Sequence, residues 1–90
     1  MKFEWDKKKA KNNHAKHGVS FDEAATVFDD PLYIDFFDPK HSDGEHRYIR
    51  VGCSEQRRVL VVSYTERNDN VRLISARVAT SNERQAYEEE

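Results

Sequence analysis

Apolar positions follow two different periods along this chain. Phe21, Ala24, Ala25 and Phe28 lie at i, i+3, i+4 and i+7, which lines one face of a helix. Beyond Arg47 the period shortens to two. Ile49, Val51 and Cys53 share one side of a strand spanning Arg47 to Cys53. Arg58 to Glu66 is the most apolar run and reads as a central strand. Arg67 to Asn70 supplies turn residues, and Val71 to Arg77 alternates again. Leu32 to Phe37 forms an earlier strand, separated from the rest by a polar loop, Asp38 to Glu45, that contains Pro39 and Gly44.

Punctuation residues set the helices. Phe3 and Trp5 alternate with Lys2 and Glu4, so the chain opens extended. Asp6 then caps a lysine-rich helix to about His17, on which Ala10, His14 and His17 lie near one stripe. Gly18 ends that helix. Ser20 and Glu23 have the spacing of a capping box for the second helix, and Asp30-Pro31 stops it. Thr80 and Glu83 repeat the spacing before a closing helix over about Ser81 to Glu89. Short links among the last three strands favour an antiparallel meander. The expected fold class is α+β: two N-terminal helices, a four-stranded antiparallel sheet and a C-terminal helix, in a single domain spanning 1–90.

Ninety residues give a thin core, which gains stability from a partner. No apolar stretch is long enough to cross a membrane, and the lysine-rich start does not look like a signal peptide. The single cysteine, Cys53, excludes an internal disulfide and fits a reducing cytoplasm. As a small apolar side chain in a strand it has an ordinary structural explanation.

The net charge of -2 hides an uneven distribution. Residues 46–87 carry eight arginines against four acids, and every arginine of the chain lies there. Residues 1–45 carry seven lysines and ten acids, and Glu88 to Glu90 add three more acids. Guanidinium forks bind phosphate bidentately, which lysine does not. The second half therefore leaves RNA open as a substrate, although arginines also decorate exposed strand faces for no such reason.

The loop around His41, Glu45, His46 and Arg47 has the residue types that RNA cleavage by the 2′-hydroxyl requires. His41 or Glu45 would exchange protons and Arg47 would hold the phosphate. The plain alternative is a solvated loop in which Glu45 pairs with Arg47 or Lys40. Arg77 stands at a strand exit beside the Thr80–Glu83 cap, with Arg84 and Tyr87 on the closing helix. Arg67 ends the preceding strand, so a hairpin puts Arg67 and Arg77 at opposite ends, and Arg77 ranks first. For either arginine the alternative is a surface salt bridge to Glu66, Asp69 or Glu83, worth little. Neither C-x-x-C nor H-E-x-x-H occurs, and there is no glycine-rich phosphate loop, so no metal site or cofactor is expected.

Several segments in order resemble one family. These are F-E-W-D-x-x-K from Phe3, N-x-x-K-H-G-V-S-F from Asn13 and A-x-x-V-F-x-D-P from Ala24. H-S-x-x-E-x-R from His41, G-x-S from Gly52 and I-S-A-R-x-A-T-x-x-E-R-x-x-Y from Ile74 complete the series. The chain thereby resembles the BrnT toxins of bacterial type II toxin–antitoxin systems, small ribonucleases built like RelE. The resemblance implies a RelE-like fold and RNA cleavage that blocks translation. It also implies neutralisation by a BrnA-type antitoxin in a hetero-oligomer, with operator DNA contacted only through the antitoxin. Arg77 and the closing helix with Glu83 and Tyr87 look like that family's C-terminal active-site elements. Beside them Arg67 is a further catalytic candidate, and Arg84 with Tyr87 is expected to contact the substrate. The acidic ending, Glu88 to Glu90, departs from what a substrate-facing Tyr87 requires. The competing class is a non-catalytic module whose sheet docks a partner protein in a regulatory complex.

Overall fold

The computed structural model describes residues 2–41 and 44–89. Strand β1 (Lys2–Glu4) leads into α1 (Lys7–His17) and α2 (Phe21–Thr26), which continues as a 3-10 turn over Val27–Asp29. Strand β2 (Ile34–Asp38) is followed by a second 3-10 turn over Pro39–His41. Strands β3 (Arg47–Cys53), β4 (Val59–Arg67) and β5 (Asn70–Val78) form the meander, and α3 (Ser81–Glu88) closes the chain. Among the described residues no helix is long and apolar enough to cross a membrane.

The caps act where the sequence places them. The Asp6 carboxylate accepts from the N–H groups of Lys8 and Lys9 at 2.8 and 3.0 Å. Gly18 ends α1 at φ 68°, in the left-handed region that a side chain disfavours. Asp30 turns extended ahead of Pro31, whose ring excludes a helical residue before it. Asn68 and Asp69 both take positive φ, which gives the β4–β5 hairpin the twist its strands require.

The sheet corrects the expected four antiparallel strands. It has five, in the order β1-β5-β4-β3-β2, and β1 runs parallel to β5 with Phe3 opposite Val71. The meander leaves the outer edge of β5 unpaired, and the extended N-terminal segment supplies its backbone partner. Pairing there seats Phe3 edge-on to Phe28 at 5.1 Å and Trp5 edge-on to Phe21 at 5.9 Å. The two 3-10 turns are also additional to the expected helices.

Helices α1 and α2 cover one face of the sheet. Val19, Phe21, Ala24 and Val27 meet Leu60, Val62, Tyr64, Leu73 and Ala76 in the core. Gly52 lets the 3-10 turn approach β3, since a Cβ there would stand 2.8 Å from Val27 Cγ1. The anticipated stripe of α1 is corrected as well: Asn13 is its buried residue, and His14 is exposed. β1 pairs with only the first part of β5. Further along, the Asn13 amide donates to Ala76 O at 2.9 Å and accepts from Ala76 N–H at 3.1 Å. One side chain thus stands in for a missing strand and satisfies backbone groups that burial would otherwise leave bare.

Candidate active site

The opposite face of the sheet carries the candidate site. Register places Phe36, Ile49, Ser63 and Ser75 in one row across β2 to β5. The neighbouring row is Ile34, Val51, Val61 and Arg77. On the other flank Asp38 stands opposite Arg47. Successive strand residues point to alternate faces, so these rows share a surface that α1 and α2 do not cover.

A cavity of about 400 Å³ opens on this surface. Arg47 and Arg77 line it from different strands, with Asp38 on β2 and Ser63 and Ser75 on its floor. His17 reaches it from the end of α1. His17 is four residues from Asn13, hence on the same helix face, and the Asn13 clamp on Ala76 holds that face to β5. Two guanidinium groups, an imidazole, a carboxylate and two hydroxyls therefore surround one open space. Such a set can bind a phosphodiester and exchange protons with it.

Arg77 is held from α3. Its Nη1 and Nη2 donate to Glu83 Oε1 and Oε2 at 2.7 and 2.8 Å. Glu83 Oε1 also accepts from Thr80 N–H at 2.8 Å, closing the capping box. The Arg77 hydrogen bonds, together with those from Thr80, pull the Glu83 carboxyl down to about 2 despite partial burial. Glu83 thus stays ionised and fixes the guanidinium at the cavity's edge.

The other sequence-predicted residues are dispersed. Glu45 pairs with Arg67, Nε to Oε2 at 2.9 Å and Nη2 to Oε1 at 3.1 Å, rather than with Arg47 or Lys40. This pair stands at the hairpin end of β4, and neither residue lines the cavity. The Arg67 hydrogen bond lowers the Glu45 pKa, which makes its carboxylate a weaker base. The His41 imidazole lies outside the described part of the structure. Arg84 is exposed on α3 and lines neither this cavity nor the one beside it. Among the described residues no three His, Cys, Asp or Glu side chains gather into a possible metal site.

Residues 5–83 match a family model described as the ribonuclease toxin BrnT of type II toxin–antitoxin systems. The chain belongs to this family. Its fold is similar to that of the Brucella abortus ribonuclease toxin BrnT, whose crystal structure was determined at 1.1 Å resolution. The TM-score is 0.67 at 24% identity, covering 90% of this chain and 99% of that one. No curated protein matches at the sequence level.

Among the BrnT-like elements Tyr87 has an unexpected neighbour. Its hydroxyl donates to Asp30 Oδ2 behind the sheet edge, and Asp30 also accepts from Cys53 N–H at 2.7 Å. Burial, reinforced by the Asp30 carboxylate, pushes the Tyr87 phenol up. Burial opposes ionisation of Asp30, but the hydrogen bonds from Cys53, Tyr87 and Leu32 outweigh it and lower the pKa. Tyr87 therefore latches α3 to the turn after α2, away from the cavity-lining residues. Sequence inspection also missed His17 as a cavity residue, along with Asp38, Ser63 and Ser75. The i, i+4 spacing of Asn13 and His17 was the available signal for His17. The serines carry none until the register aligns them.

Proposed function

We propose that this toxin, acting as one domain over 1–90, is a metal-independent endoribonuclease. The observation that carries the reading is the convergence of Arg47, Arg77 and His17 on one cavity of the open sheet face. The two arginines hold the scissile phosphate and stabilise the charge that develops on its oxygens. The His17 imidazole accepts the 2′-hydroxyl proton as that oxygen attacks phosphorus. The bond to the 5′-oxygen breaks, and His41, three residues beyond the cavity residue Asp38, gives that oxygen a proton. Glu83 orients Arg77, while the Glu45–Arg67 pair steadies the start of β3 next to Arg47. Arg84 and Tyr87 extend the reading only if α3 shifts when RNA binds.

The purified protein should cleave RNA in EDTA and leave a 2′,3′-cyclic phosphate or a 3′-phosphate opposite a 5′-hydroxyl. Abolition by chelator, with recovery on adding a divalent ion, overturns the metal-free mechanism. No cleavage under any condition favours a non-catalytic docking module.

The toxin's antitoxin is proposed to be BrnA-like and to act in the cytoplasm, contacting operator DNA itself and silencing the toxin by covering the arginine-bearing face. Charged contacts make association fall as salt rises. An inhibited complex that leaves Arg47 and Arg77 open would show instead that inhibition acts through conformation.

A further inference from the structure

A second hollow, of about 300 Å³, adjoins the arginine-bearing cavity and differs in chemistry. Ile34, Phe36, Ile49, Val51 and Val61 give it an apolar wall, and Ala86 of α3 closes one side. Ile49, Val61 and Arg77 line both spaces, so the two meet at one guanidinium. Phe36 is 52% exposed on β2, an edge strand of the sheet. Edge strands usually carry charge at such positions, and a solvated ring forgoes the stabilisation of burial.

We propose that this apolar hollow is a nucleobase subsite in which an unpaired RNA base stacks on Phe36 while its phosphate lies against Arg77. The inference rests on the ribonuclease reading above. A nucleotide is itself two-sided, with a flat, weakly polar base joined through a sugar to a charged phosphate. The two hollows reproduce that division across a shared wall. The polar groups at the apolar hollow are Arg77 and Glu83, and both Glu83 oxygens are already held by Arg77. Little remains to read the base edge, so the subsite tolerates sequence and recognises the base by its face. It admits bases from single strands and resists duplexes, where a base must first leave its stack.

The test uses methyl resonances of Ile34 and Val51, which line the apolar hollow and not the arginine-bearing cavity, in the full chain. The probes are inorganic phosphate and a dinucleotide whose 2′-deoxy sugar blocks cleavage. The dinucleotide should shift these methyls, and phosphate should perturb only the signals of Ser63, Ser75 and the arginines. Phe36→Ala and Phe36→Leu should each weaken dinucleotide binding about tenfold or more while phosphate binding stays within about twofold. Phe36→Leu keeps the apolar volume, so its effect isolates the ring. Equal affinity for both probes with unmoved methyls overturns the base subsite and leaves the ribonuclease reading standing. Failure of both probes to bind, with RNA uncut by the wild type, overturns both. Movement of the same methyls only on adding antitoxin assigns the hollow to a protein partner and likewise overturns the proposal.

Discussion

Ser20–Glu23 at the start of α2 and Thr80–Glu83 at the start of α3 share one capping pattern, yet the two glutamates serve different ends. Glu83 turns back to Thr80 N–H and grips Arg77 in the open. The Ser20 hydroxyl accepts from Glu23 N–H, but the Glu23 carboxylate faces inward. It accepts from the Ser54 hydroxyl at 2.7 Å and from Arg58 Nε at 2.9 Å. The Glu23 side chain is 2% exposed and its Arg58 partner 35%; for Glu83 and Arg77 the values are 33% and 42%. The inner pair ties α2 to the β3–β4 turn. The outer pair lies where a phosphate can compete with the carboxylate for the same guanidinium. The capping pattern starts both helices, and burial decides what each glutamate does next.

Removing one arginine from each pair gives the sharpest contrast. Arg58→Ala leaves a carboxylate buried without its cation and should cost about 3–5 kcal/mol, read from the urea midpoint. Glu23→Gln should cost less, because Arg58 still reaches water and donates to Gly18 O at 3.1 Å. Arg77→Ala should lower RNA cleavage by about 10²-fold, the scale of losing one transition-state donor. Its stability should change by less than about 1 kcal/mol, since Glu83 is left hydrated and still bonded to Thr80. Parallel losses of stability and activity in Arg77→Ala would make the outer pair structural as well.

Acid breaks both pairs, but unequally. The Arg58 hydrogen bond lowers the Glu23 pKa, and the Arg77 hydrogen bond holds Glu83 near about 2, below its ordinary 4.5. A carboxyl depressed on folding binds fewer protons folded than unfolded. Its stabilisation is present above the unfolded pKa and is lost as pH falls through the folded one. Stability should therefore be level above about pH 5 and should fall from about 4.5 toward about 2. Glu83→Gln should remove only a minor share of that fall, because solvent screens the outer pair. Between about pH 5 and 8 the same substitution should leave the shape of the pH–rate profile unchanged, because Glu83 stays ionised throughout that range. Denaturant titrations across pH and initial rates check the two halves. A profile that moves with Glu83→Gln would show Glu83 exchanging protons in the reaction.

Local chemistry made most of the fold legible. Asp6, Gly18, Ser20, Pro31 and Thr80 mark the helix ends, and period-two alternation marks β3 to β5. The pairing of β1 with β5 was not legible, because three residues join a strand nearly seventy positions away and no local pattern encodes that contact. Asn13 was opaque for a similar reason: a polar residue on a lysine-rich helix gives no sign that it completes a sheet edge. At the site, Arg77 with Glu83 could be read because both lie within one turn of a capping box. Bringing Arg47 to the same cavity required the register of three strands, β3 to β5, with a bulge between Ser63 and Tyr64. The Glu45–Arg67 pair shows the converse, since Glu45, two residues from Arg47 in sequence, pairs instead with an arginine at the end of the next strand.

The smallest expected effect separates two roles for Tyr87. No residue of α3 is buried, so polar ties do much of its docking. One is Arg77–Glu83 on the cavity side, and the other is the Tyr87 hydroxyl on Asp30 at the far side. Tyr87→Phe removes only the second. Asp30 keeps the Cys53 and Leu32 N–H groups, so the loss should be about 1 kcal/mol. Amide exchange should quicken in α3 alone, because the strands beneath it keep their ladders. If Tyr87 is a latch, cleavage by Tyr87→Phe should stay within about twofold at saturating RNA, since Arg77 keeps its grip from Glu83. A fall of about 10²-fold with α3 exchange unaltered would instead place the phenol on the substrate in the reacting complex. The Tyr87–Asp30 contact would then be a resting position that α3 leaves when RNA arrives.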